Sequence, residues 1–166
     1  NQPVQLTVDA NVSVSQMERY LDYADAGQYL YLQNRRVMAQ NAADGTSISL
    51  PYTQQQIDAA GRGTDWQREI TQLAVTQNYN VNLVGGGEKT TYGLSSGYFN
   101  QEGVMKSSGY ERANVKLSNT YDLTKWATIG SNISYIYERR NSQGSNLASA
   151  LRALPTAPVM DPDDPS

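Results

Sequence analysis

From residue 4 to residue 14 the even positions are apolar and the odd positions polar. Val4, Leu6, Val8, Ala10, Val12 and Val14 alternate with Gln5, Thr7, Asp9, Asn11 and Ser13. A strand turns successive side chains to opposite faces, whereas a helix repeats near 3.6 residues, so the pattern predicts a β-strand with one oily and one wet side. The same period returns between Gln77 and Arg139, where it predicts strands at about 78–87, 91–100, 113–123 and 127–138. Tyr79, Val81 and Leu83 share a face opposite Asn78, Asn80 and Asn82. Tyr92, Leu94 and Tyr98 form the next apolar set, followed by Ala113, Val115, Leu117, Tyr121 and Leu123, then by Ile129, Ile133, Tyr135 and Tyr137.

Between the first two strands the pattern changes. Residues 17–40 are rich in helix formers, with Asp25 as N-cap and Gln28 three places on, and Asp44-Gly45 marks a turn. Thr53-Gln54-Gln55-Gln56 is a capping box that opens a short helix ended by Gly61. Thr64-Asp65-Trp66-Gln67 repeats the pattern and predicts a helix through about Leu73. After the last strand, Leu147, Ala150, Leu151 and Leu154 fall at helical spacing and Pro155 stops the run. The predicted class is therefore all-β with helical loop insertions at 15–76 and 141–166.

Tyrosines and Trp126 sit near strand ends with aliphatic residues between them. Transmembrane β-barrels carry that order, an apolar band about 25 Å tall between aromatic girdles. Connections also alternate. Gly85–Lys89 and Thr124-Lys125 are tight, while 15–76, 101–111 and the run after Asn141 are longer. Barrels keep short turns on the periplasmic side and long loops outside, which orients the first strand outward. Under that orientation Tyr92, Tyr121 and Trp126 gather at the short-turn end, and Tyr79, Tyr98, Tyr135 and Tyr137 at the long-loop end. Five strands do not close a barrel, so the expectation is an antiparallel transmembrane β-barrel segment, a piece of a larger protein. A secretion signal at Asn1 is lacking, which fits its removal or an internal piece.

Composition narrows the chemistry. The 166 residues contain no Cys and no His, which removes disulfides, thiolate nucleophiles, imidazole bases and the usual zinc sites. A net charge of −3 argues against nucleic acid as a partner. Twelve Tyr stand against one Phe, a balance suited to boundaries between water and oil. No apolar run reaches the roughly 18 residues of a transmembrane helix, a test that barrel strands escape.

Several motifs have a functional and a plain reading. Gly85-Gly86-Gly87 lacks the Gly-Lys-Ser/Thr ending of a phosphate loop and reads as a turn using positive φ. Asp161, Asp163 and Asp164 supply hard oxygen ligands for calcium, but their spacing is that of a solvated acidic tail. Glu102 and Glu111 are a carboxylate pair with nothing to fix their separation or raise one pKa, so no catalytic residue, metal ligand or cofactor is assigned. Tyr29, Tyr31, Tyr52, Trp66 and Tyr110 fall in loops expected to face outward. Their rings suit stacking on sugars or contact with a partner, and equally suit anchoring of the loop helices. Asn11-Val12-Ser13 and Asn132-Ile133-Ser134 match the glycosylation pattern but lie within predicted strands.

Ordered short motifs then carry a resemblance. Residues Gly63–Ile70 (GTDWQREI), Gln77–Val81, Gly85–Thr90 (GGGEKT), Ser96–Gly103 (SGYFNQEG), Gly109–Val115 and Ala153–Val159 (ALPTAPV) resemble the SusC/RagA family of TonB-dependent outer-membrane transporters. The resemblance covers most of the chain from Val4 onward. It implies a barrel of roughly 22 strands around an N-terminal plug, of which this chain is the first five strands, just after the plug. It further implies location in the cell outer membrane and import of oligosaccharides, or in some members peptides. The implied partners are a SusD-like surface lipoprotein, TonB acting through the plug, and outer-membrane lipid. The residues alone leave two other readings open. One is a soluble all-β carbohydrate-binding or adhesion module with its apolar faces packed between two sheets. The other is an enzyme, for which the acyl-transfer and metal routes lack their residues.

Overall fold

The computed structural model describes residues 2–142 and 146–159. The chain forms two compact units, Asn1–Met17 with Gln72–Gln143, and Glu18–Thr71 with Gly144–Ser166.

The first unit is a single antiparallel sheet of five strands laid down in chain order: β1 (Gln2–Ser15), β2 (Ala74–Gly86), β3 (Thr90–Glu102), β4 (Gly109–Thr124) and β5 (Ala127–Asn141). The strands are 13 to 16 residues long. A barrel strand needs about 9–11 to cross hydrocarbon, so each has residues to spare. They exceed the stretches of clean alternation because pairing continues after the pattern fades. Ser15 is opposite Ala74, and Glu102 is opposite Gly109, so the connection between β3 and β4 shrinks to 103–108.

Register aligns the two kinds of side chain into rows. Leu6, Leu83, Leu94, Leu117 and Ile133 stand side by side across all five strands. Ala10, Tyr79, Tyr98, Ala113 and Tyr137 form another row on that face. The opposite face carries Thr7, Asn82, Ser95, Lys116 and Ser134 in one row and Asp9, Asn80, Gly97, Asn114 and Ile136 in the next. A one-residue slip between any two strands would mix these faces, so the alternation itself fixes the register.

Among the described residues the aliphatic rows stay exposed. Val81 is 41%, Val115 44% and Ile133 63% exposed. A soluble sandwich would place these residues in its core. Here they are left for a solvent that accepts them, which is hydrocarbon.

The second unit is helical. It contains α1 (Ala26–Asp44), α2 (Gln54–Ala60), α3 (Trp66–Glu69) and α4 (Asn146–Arg152). Two of the three expected capping boxes form: Asp25 with Gln28 opens α1, and Thr53 with Gln56 opens α2. Gly45, at φ 66°, ends α1 in the left-handed conformation. The third helix is shorter than expected and is capped by Asp65, not Thr64. It stops because the buried Thr71 returns its hydroxyl to the Gln67 carbonyl (2.9 Å), and Gln72 N–H then donates to the Val104 carbonyl (2.8 Å). Chain that would extend the helix is needed to start β2. Among the described residues no helix is long and apolar enough to cross a membrane.

Candidate functional site

On the sheet, the aliphatic face has a defined vertical order. Tyr98 lies four residues from Leu94 in one direction along β3, and Tyr121 lies four residues from Leu117 in the other along β4. Leu94 and Leu117 are direct partners. At about 3.4 Å per residue the rings are roughly 27 Å apart along the strands. Tilting the strands by about 40° brings this near 21 Å, close to the apolar band of a barrel. Trp126, in the turn between β4 and β5, is 88% exposed. Its indole is both an apolar surface and a hydrogen-bond donor, which suits an interfacial position.

The other face is lined by amides, hydroxyls and charges. Asn80 Nδ2 donates to Asn78 Oδ1 at 3.2 Å. A Cβ on Gly97 would stand 2.8 Å from Asn114 Oδ1 and 2.9 Å from Asn80 Oδ1, so the asparagines of both neighbouring strands lean over the glycine. This face can hold water or polar protein surface.

One aromatic pair breaks the separation of faces. Phe99 and Tyr110 sit on the polar side with ring centroids 6.0 Å apart, and the Tyr110 hydroxyl donates to Glu138 Oε1 at 2.9 Å. Tyr110 was expected in a loop. It belongs to β4, because pairing runs to Gly109. Phe99 was assigned no role. The only sequence signal was its odd place in a strand whose even positions carry the apolar set.

The remaining loop aromatics lie on the helical unit, and the structure does not gather them into one cluster. Trp66 opens α3 and donates its Nε1–H to the Leu154 carbonyl at 2.9 Å. Tyr29 is half-buried on α1, and Tyr31 is 49% exposed on the same helix. Tyr52 is bound through its backbone: Asn34 Nδ2 donates to its carbonyl (2.8 Å) and its N–H donates to Asn34 Oδ1 (3.2 Å). Asn41, seven residues along α1, makes the same double contact to Ile48. Two asparagines one heptad apart thus staple the returning chain to the helix.

A cavity of about 760 Å³ opens in this unit. Tyr20, Tyr23 and Trp66 contribute aromatic surface, and Asp22, Arg62 and Arg68 contribute charge. The Arg68 guanidinium lies 4.8 Å from the centre of the Tyr20 ring and is bonded to Asp65 at 3.1 Å. Sequence reasoning missed this cavity because its walls come from residues 20–28, 62–68 and 150–155.

The other candidates resolve simply. None of Gly85, Gly86 and Gly87 uses positive φ. Gly85 instead makes room for the Tyr92 ring, whose Oη would be 2.6 Å from a Cβ there. Glu102 accepts the Val75 N–H (3.1 Å) and Glu111 accepts the Tyr98 hydroxyl (3.2 Å), so each carboxylate has a structural partner. Asp161, Asp163 and Asp164 lie outside the described residues. Among the described residues no group of three or more acidic side chains is placed to hold a metal.

Comparison with known proteins agrees with this geometry. No family model matches the chain. A TonB-dependent receptor of Formosa agariphila is 30% identical over 149 residues, which is 90% of this chain and 14% of that protein. The TonB-dependent receptor SusC of Bacteroides thetaiotaomicron is 31% identical over 112 residues, 65% of this chain and 11% of that one. The chain thus spans about a seventh or less of these relatives. Among solved structures, the RagAB peptide transporter aligns with TM-score 0.62 and 22% identity, over 87% of this chain and 19% of that one. The RagAB peptide importer in its closed-closed state gives TM-score 0.64 at 19% identity, over 87% and 18%. These likenesses, with a sheet whose aliphatic rows are left exposed, identify the chain as a SusC/RagA-like segment of a TonB-dependent receptor.

Proposed function

We propose that this chain is the start of the barrel wall of a nutrient importer, with β1, β3 and β5 running outward and the helical unit on the cell exterior. The observation that carries the reading is the uncovered aliphatic face between rows of tyrosine. The outer edges of β1 and β5 have no partner in this sheet. Unpaired edges are not tolerated in lipid, so further strands of the complete receptor pair with them. The polar face then looks into a lumen filled by water and by the plug.

The complete receptor imports oligosaccharides or similar nutrients with a SusD-like lipoprotein, powered by TonB. The partner and the glycan come from the family resemblance of the sequence motifs; RagAB, by its title, transports peptide, which leaves cargo to experiment. Tyr31, exposed on α1, is the best placed of the loop aromatics for contact with the lipoprotein or cargo. Trp66, Tyr29 and Tyr52 act first as anchors. The test is removal of the receptor from its host, followed by uptake of fluorescein-labelled oligosaccharides and oligopeptides. Loss of oligosaccharide uptake together with co-purification of a lipoprotein supports the proposal. Loss of peptide uptake alone moves the cargo to peptide, and unchanged uptake of both removes the importer reading.

A further inference from the structure

The residues after α4 form one wall of the cavity, yet little apolar burial holds them. Thr64 N–H donates to the Pro155 carbonyl (2.8 Å), Thr64 Oγ1 to the Ala157 carbonyl (2.7 Å) and Trp66 Nε1–H to the Leu154 carbonyl (2.9 Å). All three acceptors are backbone oxygens, and all three donors come from two residues. Gly63 makes the approach feasible: it sits at φ +67°, and a Cβ there would overlap the Pro155 carbonyl oxygen and come within 2.6 Å of Ala26 Cβ. The side chains on this stretch add little, since Leu154 and Val159 are half exposed. Water can replace each of these hydrogen bonds, so the attachment is of the kind that opens locally without unfolding its surroundings.

The opposite wall is built differently. The first free N–H groups of α1 donate to the Arg62 and Gly61 carbonyls, both at 3.0 Å, and Ala26 and Leu30 of that helix are buried. One side of the cavity is braced and the other is hung on a clasp.

We propose that residues 153–157 are a strap that swings off the Gly63–Trp66 clasp, hinged just past Arg152, and thereby opens the cavity while α1 and α2 stay in place. The buried Ala150 lines the cavity beside the strap and reports its opening. The inference stands whichever cargo the receptor carries.

The experiment uses the full-length receptor in detergent or bilayer. Ala150→Cys puts a thiol at a buried position beside the strap, which N-ethylmaleimide should reach faster when the strap leaves. Trp66→Phe keeps the ring and removes its N–H; Thr64→Val keeps the shape and removes the hydroxyl. Either change should speed maleimide labelling at least tenfold, and hydrogen exchange at Thr64, whose N–H donates to the Pro155 carbonyl, and at Ala157, whose N–H donates to the Leu154 carbonyl, should rise alongside it. Amides of α1 should exchange as before. If A150C does not fold, exchange in the clasp variants alone decides the matter. Unchanged strap exchange, or an equal rise through α1, would overturn the proposal, because the strap would then be a fixed part of the unit.

Discussion

A charge placed on the aliphatic face of β4 tests the membrane assignment in energetic terms. Leu117 sits in the row of five aliphatic side chains, between Leu94 and Ile133. Tyr98 and Tyr121 lie four residues away on either side, about 14 Å along the strands and roughly 10 Å in depth for a 40° tilt. The position is therefore near the middle of the apolar band, where an arginine facing lipid costs about 2–4 kcal/mol. Ser118, the next residue, points to the polar face beside Asn132, and arginine there should cost less than about 1 kcal/mol. The predicted gap of about 1–4 kcal/mol lowers the folding equilibrium of L117R relative to S118R by roughly 5- to 700-fold. Urea titration of the full-length receptor in phospholipid vesicles, followed by the mobility shift of the folded barrel on gels, measures both variants. Equal costs, or a larger cost for S118R, would refute the face assignment.

Further outcomes follow from single contacts. Gly97→Val should destabilise the barrel by about 1–3 kcal/mol, because its Cβ would press on Asn80 and Asn114; Gly130→Ala, with nothing nearer than 3.8 Å, should change the same urea midpoint little. Asp25→Ala removes the acceptor for Gln28 N–H and should loosen the first turn of α1 by about 0.5–2 kcal/mol, seen as faster amide exchange at residues 27–29. Asn34→Leu leaves both backbone groups of Tyr52 without their partner and should cost the helical unit about 1–3 kcal/mol, read by exchange at 48–52 with the sheet unaffected.

The sheet was legible because a two-residue period with one apolar face has a single physical interpretation, and β1 displays it without interruption. The helix starts were legible for a similar reason: Asp25 with Gln28 and Thr53 with Gln56 are local devices whose partners lie three residues away. Strand ends were less so, since Ala74–Gln77 and Gly109–Arg112 pair by continuation of the ladder after their own pattern has faded. The length of α3 depended on Thr71 and on Val104, the latter 35 residues past the end of the helix (104 − 69). Asp44-Gly45 was rightly read as a turn, whereas positive φ was wrongly expected at Gly85–Gly87, where Gly85 makes space for a ring on the neighbouring strand. The strap contacts join residues about ninety positions apart through backbone carbonyls, which leave no trace in side-chain pattern.

The central claim is that one side of this sheet meets lipid and the other meets water. The segment contains no cysteine, so single nitroxide labels can be placed from Ala113 to Tyr121 in the full-length receptor in bilayers. Collision with oxygen should peak at 113, 115, 117, 119 and 121, and collision with a water-soluble nickel chelate should be higher at 114, 116, 118 and 120. A flat profile, or the two reagents peaking at the same positions, would contradict the account.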